Sequence, residues 1–535
     1  MQQAAVSSSS ETLIPRLKEL LGADRVITDP QELQFFASDV YSASKPGLAA
    51  IRPDDVDSLA AAVREITSAG CAVVPRGGGM SYTGGYAPVH ENTVSVDLRD
   101  LNRIIEIDEG DMLITVEAGV TWRQIFEALD PLGLRLPFFG TFSGSVATIG
   151  GGLSNGALFM GTGRYGTAAE TVLGLQVLLA DGSLLDTGQA AFRNGRPFYR
   201  TFGPDLTGGF LHDSGALGIK TQATLRMIRP PAEIDYASFV LPDIHQAAQA
   251  LSEVARTGAA EEAYVFDPAT TRNSLASLGL GQDLRKLFKV VGSQSGLQKG
   301  IRAGADLVAG GRDFVPEDAY SLHVVCAGRS TAAVADDIAA CRAVAAEFKA
   351  PEITNSIPKA ARADPFPPLN GILGPGGTRW AALNAKVRHS DAERIIDATQ
   401  ACLSPHADAM KEHGIHLSQL LIAISNHAFS YEPVFHWHDE WLPVHRRTPE
   451  EKFLAGLDEP APNPQARALV HDLRAQIVAL FAEFGAASNQ IGKTYPYGEM
   501  LKPRTAALVR DLKAAVDPQG LMNPGALGLD GSGGD

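Results

Sequence analysis

The sequence predicts an α+β chain of at least two domains. Three observations carry that expectation. Residues 49–76 read strand, helix, strand, and the second strand runs directly into a loop with five glycines between Gly77 and Gly85. Residues 93–226 hold short strands, turn dipeptides and a second glycine cluster. Residues 233–490 mix long helical patterns with strand-like runs, the composition of an antiparallel sheet flanked by helices.

A chain of 535 residues has room for more than one large core. Hydrophobic content of 45% and charged content of 20% are those of a soluble globular protein. A net charge of -15 argues against a nucleic acid or an anionic membrane as partner. The cysteines Cys71, Cys326, Cys341 and Cys402 lie far apart without a CxxC, so neither a disulfide framework nor a zinc site is expected, and a reducing compartment fits. The N-terminus MQQAAVSSSSETL lacks the basic and apolar regions of a secretory signal, and no apolar run is long enough to span a bilayer. These features predict a cytoplasmic protein with no membrane span. The serine run Ser7–Ser10 and the tail Gly531–Gly534 read as disordered.

In order along the chain, residues 12–21 form a short amphipathic helix, and Ala49–Ile51 form a strand stopped by Pro53. Val56, Leu59, Val63 and Ile66 share one helical face, with Asp54 or Asp55 as cap and Gly70 as stop. Ala72-Val73-Val74 then leads into Pro75-Arg76-Gly77-Gly78-Gly79-Met80-Ser81-Tyr82-Thr83-Gly84-Gly85. Glycine is costly in a strand or helix interior but lets backbone N–H groups approach an anion closely. The stretch reads as a loop that wraps a pyrophosphate, with Arg76 adding positive charge. It is not a Walker loop, because no Lys-Ser/Thr pair follows the glycines.

Thr93–Leu98 alternates as a half-buried strand does, residues 103–107 and 113–118 flank a hairpin turn, and residues 121–132 form a helix with Trp122, Ile125, Phe126 and Leu129 inward. The second cluster, from Gly140-Thr141 through Thr148 and Gly151-Gly152 to Ser154-Asn155, offers many uncharged donors. Gly161-Thr162-Gly163-Arg164-Tyr165-Gly166 matches GxGxxG, but no strand precedes it, so a dinucleotide reading is rejected. Residues 171–187 form two strands around Asp181-Gly182, and Gly218-Ile219 opens an alternating strand to Arg226. Pro230-Pro231 marks a domain boundary.

The Pro-Arg-Gly-Gly-Gly loop resembles the pyrophosphate loop of the vanillyl-alcohol oxidase and p-cresol methylhydroxylase superfamily. The runs Arg164-Tyr165-Gly166, Val172–Gly182, Asp205–Gly208 and Gly218-Ile219 are similar, in that order, to FAD-linked D-lactate and glycolate dehydrogenases. Asp517–Gly525, with Asn523, is similar to the segment that closes those flavoproteins. The resemblance implies a two-part FAD-binding domain of the p-cresol methylhydroxylase type over 45–232, preceded by an N-terminal helical segment, 1–44. It implies a cap or substrate domain over 233–490, and a segment, 491–535, that returns to the FAD domain. It also implies FAD bound by Pro75, Arg76, Gly77, Gly78, Gly79, Met80, Ser81, Gly84, Gly140, Thr141, Thr148, Gly151, Gly152, Ser154, Asn155, Tyr165, Gly166, Gly218, Ile219 and Asn523. Met80 stands where several branches tether FAD through histidine, so noncovalent FAD is expected.

For the chemistry, a flavin enzyme must orient its substrate and accept a proton. His436 and His438 share one face of an extended segment, about 6–7 Å apart, with His427 and His445 nearby. They are the candidate base or oxyanion donors. Arg379 would grip a carboxylate by two parallel hydrogen bonds. Tyr495, with Tyr497 and Arg504, lies in the region where the phenol-oxidising branch stabilises a phenolate. His-x-x-Asp-Gly-Asn-x-His and Glu-His-Gly-Ile-Gly, which carry metal ligands in many FAD-linked hydroxyacid dehydrogenases, are missing. The second is replaced by Ala487-Ser488-Asn489-Gln490-Ile491-Gly492-Lys493, so no metal site is expected.

The expected function is a FAD-dependent oxidoreductase that takes a hydride from a small hydroxylated substrate, first a 2-hydroxy acid. The alternatives are a 4-hydroxybenzyl alcohol or 4-alkylphenol, and a redox-neutral transferase of the alkylglycerone-phosphate synthase type. The electron acceptor and the oligomeric state, a homodimer included, stay open.

Overall fold

The computed structural model describes residues 2–277 and 318–529. It contains three sheets. The first has the order β1 (Val26–Ile27), β2 (Ala49–Ile51), β4 (Thr93–Asp97), β3 (Ala72–Arg76). β2 and β3 both run parallel to β4, and β1 is antiparallel to β2. The helix Val56–Ser68 makes the parallel crossover and buries Leu59, Ala62, Val63 and Ile66. Asp55 is its cap, accepting the Ser58 N–H. The outer edge of β3 is covered by the chain's closing segment: Val73 N–H donates to the Leu521 carbonyl, and Asn523 N–H donates to the Val73 carbonyl, both at 2.8 Å.

The second sheet is antiparallel, in the order β5 (Ile104–Asp108), β6 (Leu113–Glu117), β9 (Ile219–Arg226), β7 (Val172–Leu178), β8 (Leu184–Asp186). Both expected hairpins form. The helix Trp122–Leu129 has a capping box between Thr121 and Gln124, and it buries Trp122, Ile125 and Leu129 while Phe126 stays half-buried.

The third sheet is also antiparallel. Its order is β13 (Glu352–Ile353), β10 (Glu233–Leu241), β12 (Tyr320–Gly328), β11 (Glu262–Phe266), β16 (His416–Ile424), β17 (Ala428–Trp437), β14 (Arg379–Ala382), with β15 (Ala385–Val387) also on β17. Strand alternation gives this sheet two unlike faces. Ala263, Val265, Leu421 and Ala423 pack under the helices Ile244–Thr257, Thr331–Glu347, Ala392–Leu403 and Pro464–Glu483. Tyr264, Phe266, Ile422 and Ile424 face the other way and join the core of the second sheet. The sheet therefore carries its helices on one side and roofs the FAD-type half with the other.

Two expectations change. Thr93, Ser95 and Asp97 are as buried as Val94 and Val96, because β4 is the central parallel strand and both faces are covered. Ser7–Ser10 lies inside a helix, Gln2–Leu21, and its residues Leu13 and Leu17 are buried against the helix Val56–Ser68. The tail Gly531–Gly534 lies outside the described residues. No helix of the described residues is long and apolar enough to cross a membrane.

Candidate functional site

A cavity of about 1740 Å³ lies between the two glycine clusters and the roof sheet. That exceeds the roughly 300–1,000 Å³ of a pocket for one small ligand. One end is lined by Arg76 through Tyr82, the opposite wall by the third sheet.

The glycine loop leaves β3 and does not fold back on itself. Among the described residues, none of the six consecutive amides from Gly77 to Tyr82 donates a hydrogen bond within the protein. Most of these residues are buried, so such amides need a partner from outside the chain. Arg76 lies under them, sandwiched 4.5 Å from the Phe35 ring and 4.6 Å from the Tyr86 ring, with Nη1 on the Ser38 carbonyl at 3.0 Å. Its Nε and Nη2 have no partner. A cation and a run of free amides make a cradle for a polyanion, and a dinucleotide's pyrophosphate fits it.

The second cluster behaves differently. It folds into a helix, Ile149–Asn155, capped by Thr148, and the amides of Ile149, Gly150, Gly151 and Gly152 are already taken by Val120, Ala118 and Thr148. Its contribution is close walls and the side chains of Ser154 and Asn155, and the Asn155 Oδ1 has no partner.

Of the expected cofactor residues, Pro75, Arg76, Gly77, Gly78, Gly79, Met80, Ser81, Thr141, Thr148, Gly151, Gly152, Ser154, Asn155, Gly218 and Ile219 line the cavity. Five do not, and each has another task. Gly84 N–H donates to Asp39. Gly140 makes room for the Phe366 ring, and Gly166 packs on Glu170. Tyr165 lies beside the Arg135 guanidinium. Asn523 donates from Nδ2 to the carbonyls of Gly85 and Ser214, tying the closing segment to the loop from behind.

The expected catalytic set is largely dispersed. His427 is exposed in the turn before β17, and His436 is nine residues further on, about 30 Å away at the strand's far end. His438 is exposed beyond β17 and does not line the cavity, because the strand ends at Trp437 and the alternation ends with it. Arg379 shares a strand face with Ala381, away from the cavity, where its Nη1 pairs with Asp439 at 3.3 Å and its Nε donates to the Glu440 carbonyl at 2.8 Å. Its Nη1 and Nε are thus committed on the side away from the cavity, which Arg379 does not line. Tyr495 is buried behind the wall, its hydroxyl accepting the Asn384 N–H at 2.7 Å, and Arg504 is exposed at a helix start. Among the described residues no three His, Cys, Asp or Glu side chains come together as a metal site.

His436 alone of that set faces the cavity. It stacks on His416, its cross-strand neighbour, with centroids 5.3 Å apart, and its Nε2 shares a proton with the Ser418 hydroxyl at 2.8 Å. Burial, reinforced by His416, pulls its pKa down to about 4, so it is neutral. Its neighbours on the same face of β17 are Val434 and Glu432.

Glu432 is the residue that sequence reasoning passed over. Its Oε2 accepts long hydrogen bonds, 3.4 Å each, from the Tyr82 hydroxyl and from Asn384 Nδ2. Asn384 is held in that orientation by Asn489 N–H on its Oδ1 and by Ser430 on its Nδ2. Burial raises the Glu432 carboxyl to about 7 against the pull of those two donors. The signal in the sequence was a lone acid in the alternation Tyr431-Glu432-Pro433-Val434-Phe435-His436. Asn489 and Gln490 also line the cavity, with Gln490 accepting the Ser81 hydroxyl at 2.6 Å.

Comparison with known proteins agrees with this construction. Residues 47–188 match a FAD binding domain, and residues 491–527 match the C-terminal domain of FAD linked oxidases. The mitochondrial D-lactate dehydrogenase [cytochrome] 1 of Saccharomyces cerevisiae is 34% identical over 190 residues, 35% of this chain and 30% of that protein. The D-2-hydroxyglutarate dehydrogenase of Xanthomonas citri pv. viticola is 30% identical over 227 residues, 42% of this chain and 46% of that protein. The chain thus spans less than half the length of these curated relatives. In structure, p-cresol methylhydroxylase with substrate bound superposes over 98% of this chain and 97% of its own with a TM-score of 0.72, at 18% identity. That likeness shows the fold. The chain thus carries a FAD binding domain and the C-terminal domain of FAD linked oxidases, on a fold shared with p-cresol methylhydroxylase over nearly its whole length.

Proposed function

We propose that the protein oxidises a small hydroxylated substrate with FAD as the hydride acceptor, and that the substrate class is a 2-hydroxy acid. The observation that carries the oxidoreductase reading is the continuity of the cavity. The free amides of Gly77–Tyr82 and the wall of β16 and β17 open onto one space. A bound FAD supplies the two-electron chemistry there. The residues present fit its pyrophosphate at Gly77–Tyr82 and Arg76. The chain's own residues hold the substrate against the roof sheet, exclude water with Phe266, Leu420 and Ile422, and move the hydroxyl proton. The 2-hydroxy acid class draws its support from the sequence relatives, whose names are those of hydroxy-acid dehydrogenases.

A second reading has one observation in its favour. Among the described residues, the strands of the third sheet place no arginine or lysine on the cavity wall. A carboxylate substrate would want one there. An uncharged hydroxylated aromatic, such as a 4-hydroxybenzyl alcohol or 4-alkylphenol, would rest on that wall as it stands.

Anaerobic titration of the holoprotein separates these readings. Bleaching of the flavin by D-lactate, glycolate or D-2-hydroxyglutarate is expected on the first. Bleaching by 4-hydroxybenzyl alcohols or 4-alkylphenols alone assigns the second. No bleaching by either panel removes the oxidoreductase reading.

A further inference from the structure

We infer that Glu432 is the base that accepts the substrate's hydroxyl proton, with Tyr82 and Asn384 as the donors that hold its carboxylate for the task. The inference rests on the oxidoreductase reading above. It also corrects the expectation that a histidine of the 427–438 segment does this work.

The geometry comes first. Glu432 is on the cavity face of β17, with Tyr431, Pro433 and Phe435 turned to the core on either side. Its two oxygens are unlike. Oε2 is engaged by Tyr82 and Asn384, whereas Oε1 has no hydrogen bond among the described residues and belongs to a side chain that lines the cavity. A carboxylate anchored through one oxygen, with the other facing a ligand space, is oriented to take a proton. Asn384 cannot turn its amide around, because Asn489 N–H occupies its oxygen at 3.1 Å. The donor therefore always faces Glu432.

The rival groups on this wall are less suited. His436 has its Nε2 held by Ser418, and its Nδ1 is buried against Gly374. Tyr82 is a phenol whose pKa burial and the neighbouring Glu432 push well above its ordinary value, so it stays a donor. The charged and titratable groups that face Glu432 from every side are Tyr82 from the glycine loop, Tyr495 and Arg474 behind it, and His436 along its own strand. Arg474 is committed to the carbonyls of Tyr82 and Ala382. The result is a carboxyl that changes protonation near neutrality, where a base is most effective.

The step balances as follows. The hydroxyl O–H bond breaks and its proton passes to Glu432 Oε1. The electron pair left on oxygen forms the second C–O bond, and the carbon's hydrogen leaves as hydride to oxidised FAD. The substrate loses two electrons, which a bound FAD would take up, and Glu432 returns its proton to water as the carbonyl product departs.

The test uses holoprotein. Flavin reduction by a bleaching substrate is timed from about pH 5 to about pH 9, for wild type, Glu432→Gln and Glu432→Asp, with flavin content measured for each. The wild-type rate should rise with pH through a midpoint near 7, since the base acts when ionised. Glu432→Gln should slow reduction by about 10²–10⁴-fold and abolish that limb, while Glu432→Asp keeps part of the rate with a displaced limb. Independently of turnover, infrared spectra of wild-type holoprotein should show a protonated carboxyl that titrates near neutrality and is missing from Glu432→Gln. Reduction of Glu432→Gln at the wild-type rate with its limb intact overturns the assignment. If Glu432→Gln does not retain flavin, Tyr82→Phe carries the test: loss of a donor to the carboxylate must move the limb to higher pH, and an unmoved limb overturns the assignment. A wild type that no hydroxylated compound bleaches defeats the parent reading instead, and the infrared titration still reports separately on Glu432.

Discussion

Arg135 Nη2 lies 2.8 Å from Glu261 Oε1, and that same oxygen receives Arg362 Nη2 at 2.6 Å. Arg362 also pairs with Glu262. Arg135 is bridged to Ile228 at the end of the second sheet, whereas Glu261 and Glu262 enter β11 of the third. All four side chains are buried, so this cluster pins the roof sheet to the FAD-binding half. Burial pushes the Glu261 carboxyl up, but Arg362 and Arg135 together hold it below the ordinary range. A depressed carboxyl gives stability above its unfolded pKa that is lost as pH falls through the folded one. Glu261→Ala would leave the buried Arg135 guanidinium without a carboxylate and Arg362 with Glu262 alone, and should destabilise by about 3–5 kcal/mol. Denaturant unfolding at neutral pH measures the loss, and a change under about 1 kcal/mol would show that the cluster is not a fastener.

Gly78→Ala should yield protein with little bound flavin. A Cβ at Gly78 collides with the Val146 carbonyl, so the loop would have to leave the second cluster and misdirect its amides. Gly79→Ala should act similarly for a different reason, since φ is +70° there and the Cβ would meet the Arg76 guanidinium. Visible absorbance per chain after reconstitution with FAD reads both, and full occupancy in Gly78→Ala contradicts the cradle.

The flavin should come free on acid or heat denaturation. Met80 lines the cavity at the position discussed above and offers no tethering nucleophile. By residue type, His389 and the histidines of 427–438 could also tether a flavin, but His389 bonds to Ser252 on the helix side of the roof sheet and does not line the cavity, and His436 has its Nε2 on Ser418. Yellow fluorescence that stays with the denatured polypeptide on a gel would contradict this.

Glu432→Gln should raise thermal stability more at pH 8 than at pH 5. The folded-state pKa is raised from 4.5 to about 7. Its stabilising contribution is therefore present below about 4.5 and lost as pH rises through about 7. Ionising the buried carboxylate at pH 8 costs up to roughly 3 kcal/mol, which the neutral amide avoids. Melting curves across that range test the sign, and equal shifts at both pH values would refute it.

Local patterns carried much of the fold. The period of Val56–Ile66, the turn at Asp181-Gly182 and the glycine density after β3 each report on neighbours in sequence, and each element forms where they put it. The site was less legible because it is built across the chain. Which face of β17 meets the cavity depends on which side the four helices take, and nothing within residues 428–437 says so. His436 and His438 look equivalent as an alternating pair, yet the strand stops between them. Arg379 has the right chemistry for a carboxylate, but Asp439, sixty residues away, claims it. Glu432 gave no motif at all. Its chemistry comes from Tyr82 and Asn384, which are distant in sequence and close only after folding.

The edge of β3 has a consequence for synthesis. The strand that leads into the amide cradle is finished on one side by Leu521–Asn523, some 450 residues further along. At about 5–20 residues per second, a ribosome needs roughly 20–90 s to make the stretch between them. For that time the emerging first half has an open sheet edge and an unanchored loop, the kind of surface that invites wrong pairing. The nascent chain should therefore acquire its cofactor only once Leu521–Asn523 has emerged, and chaperone occupancy should concentrate on this half.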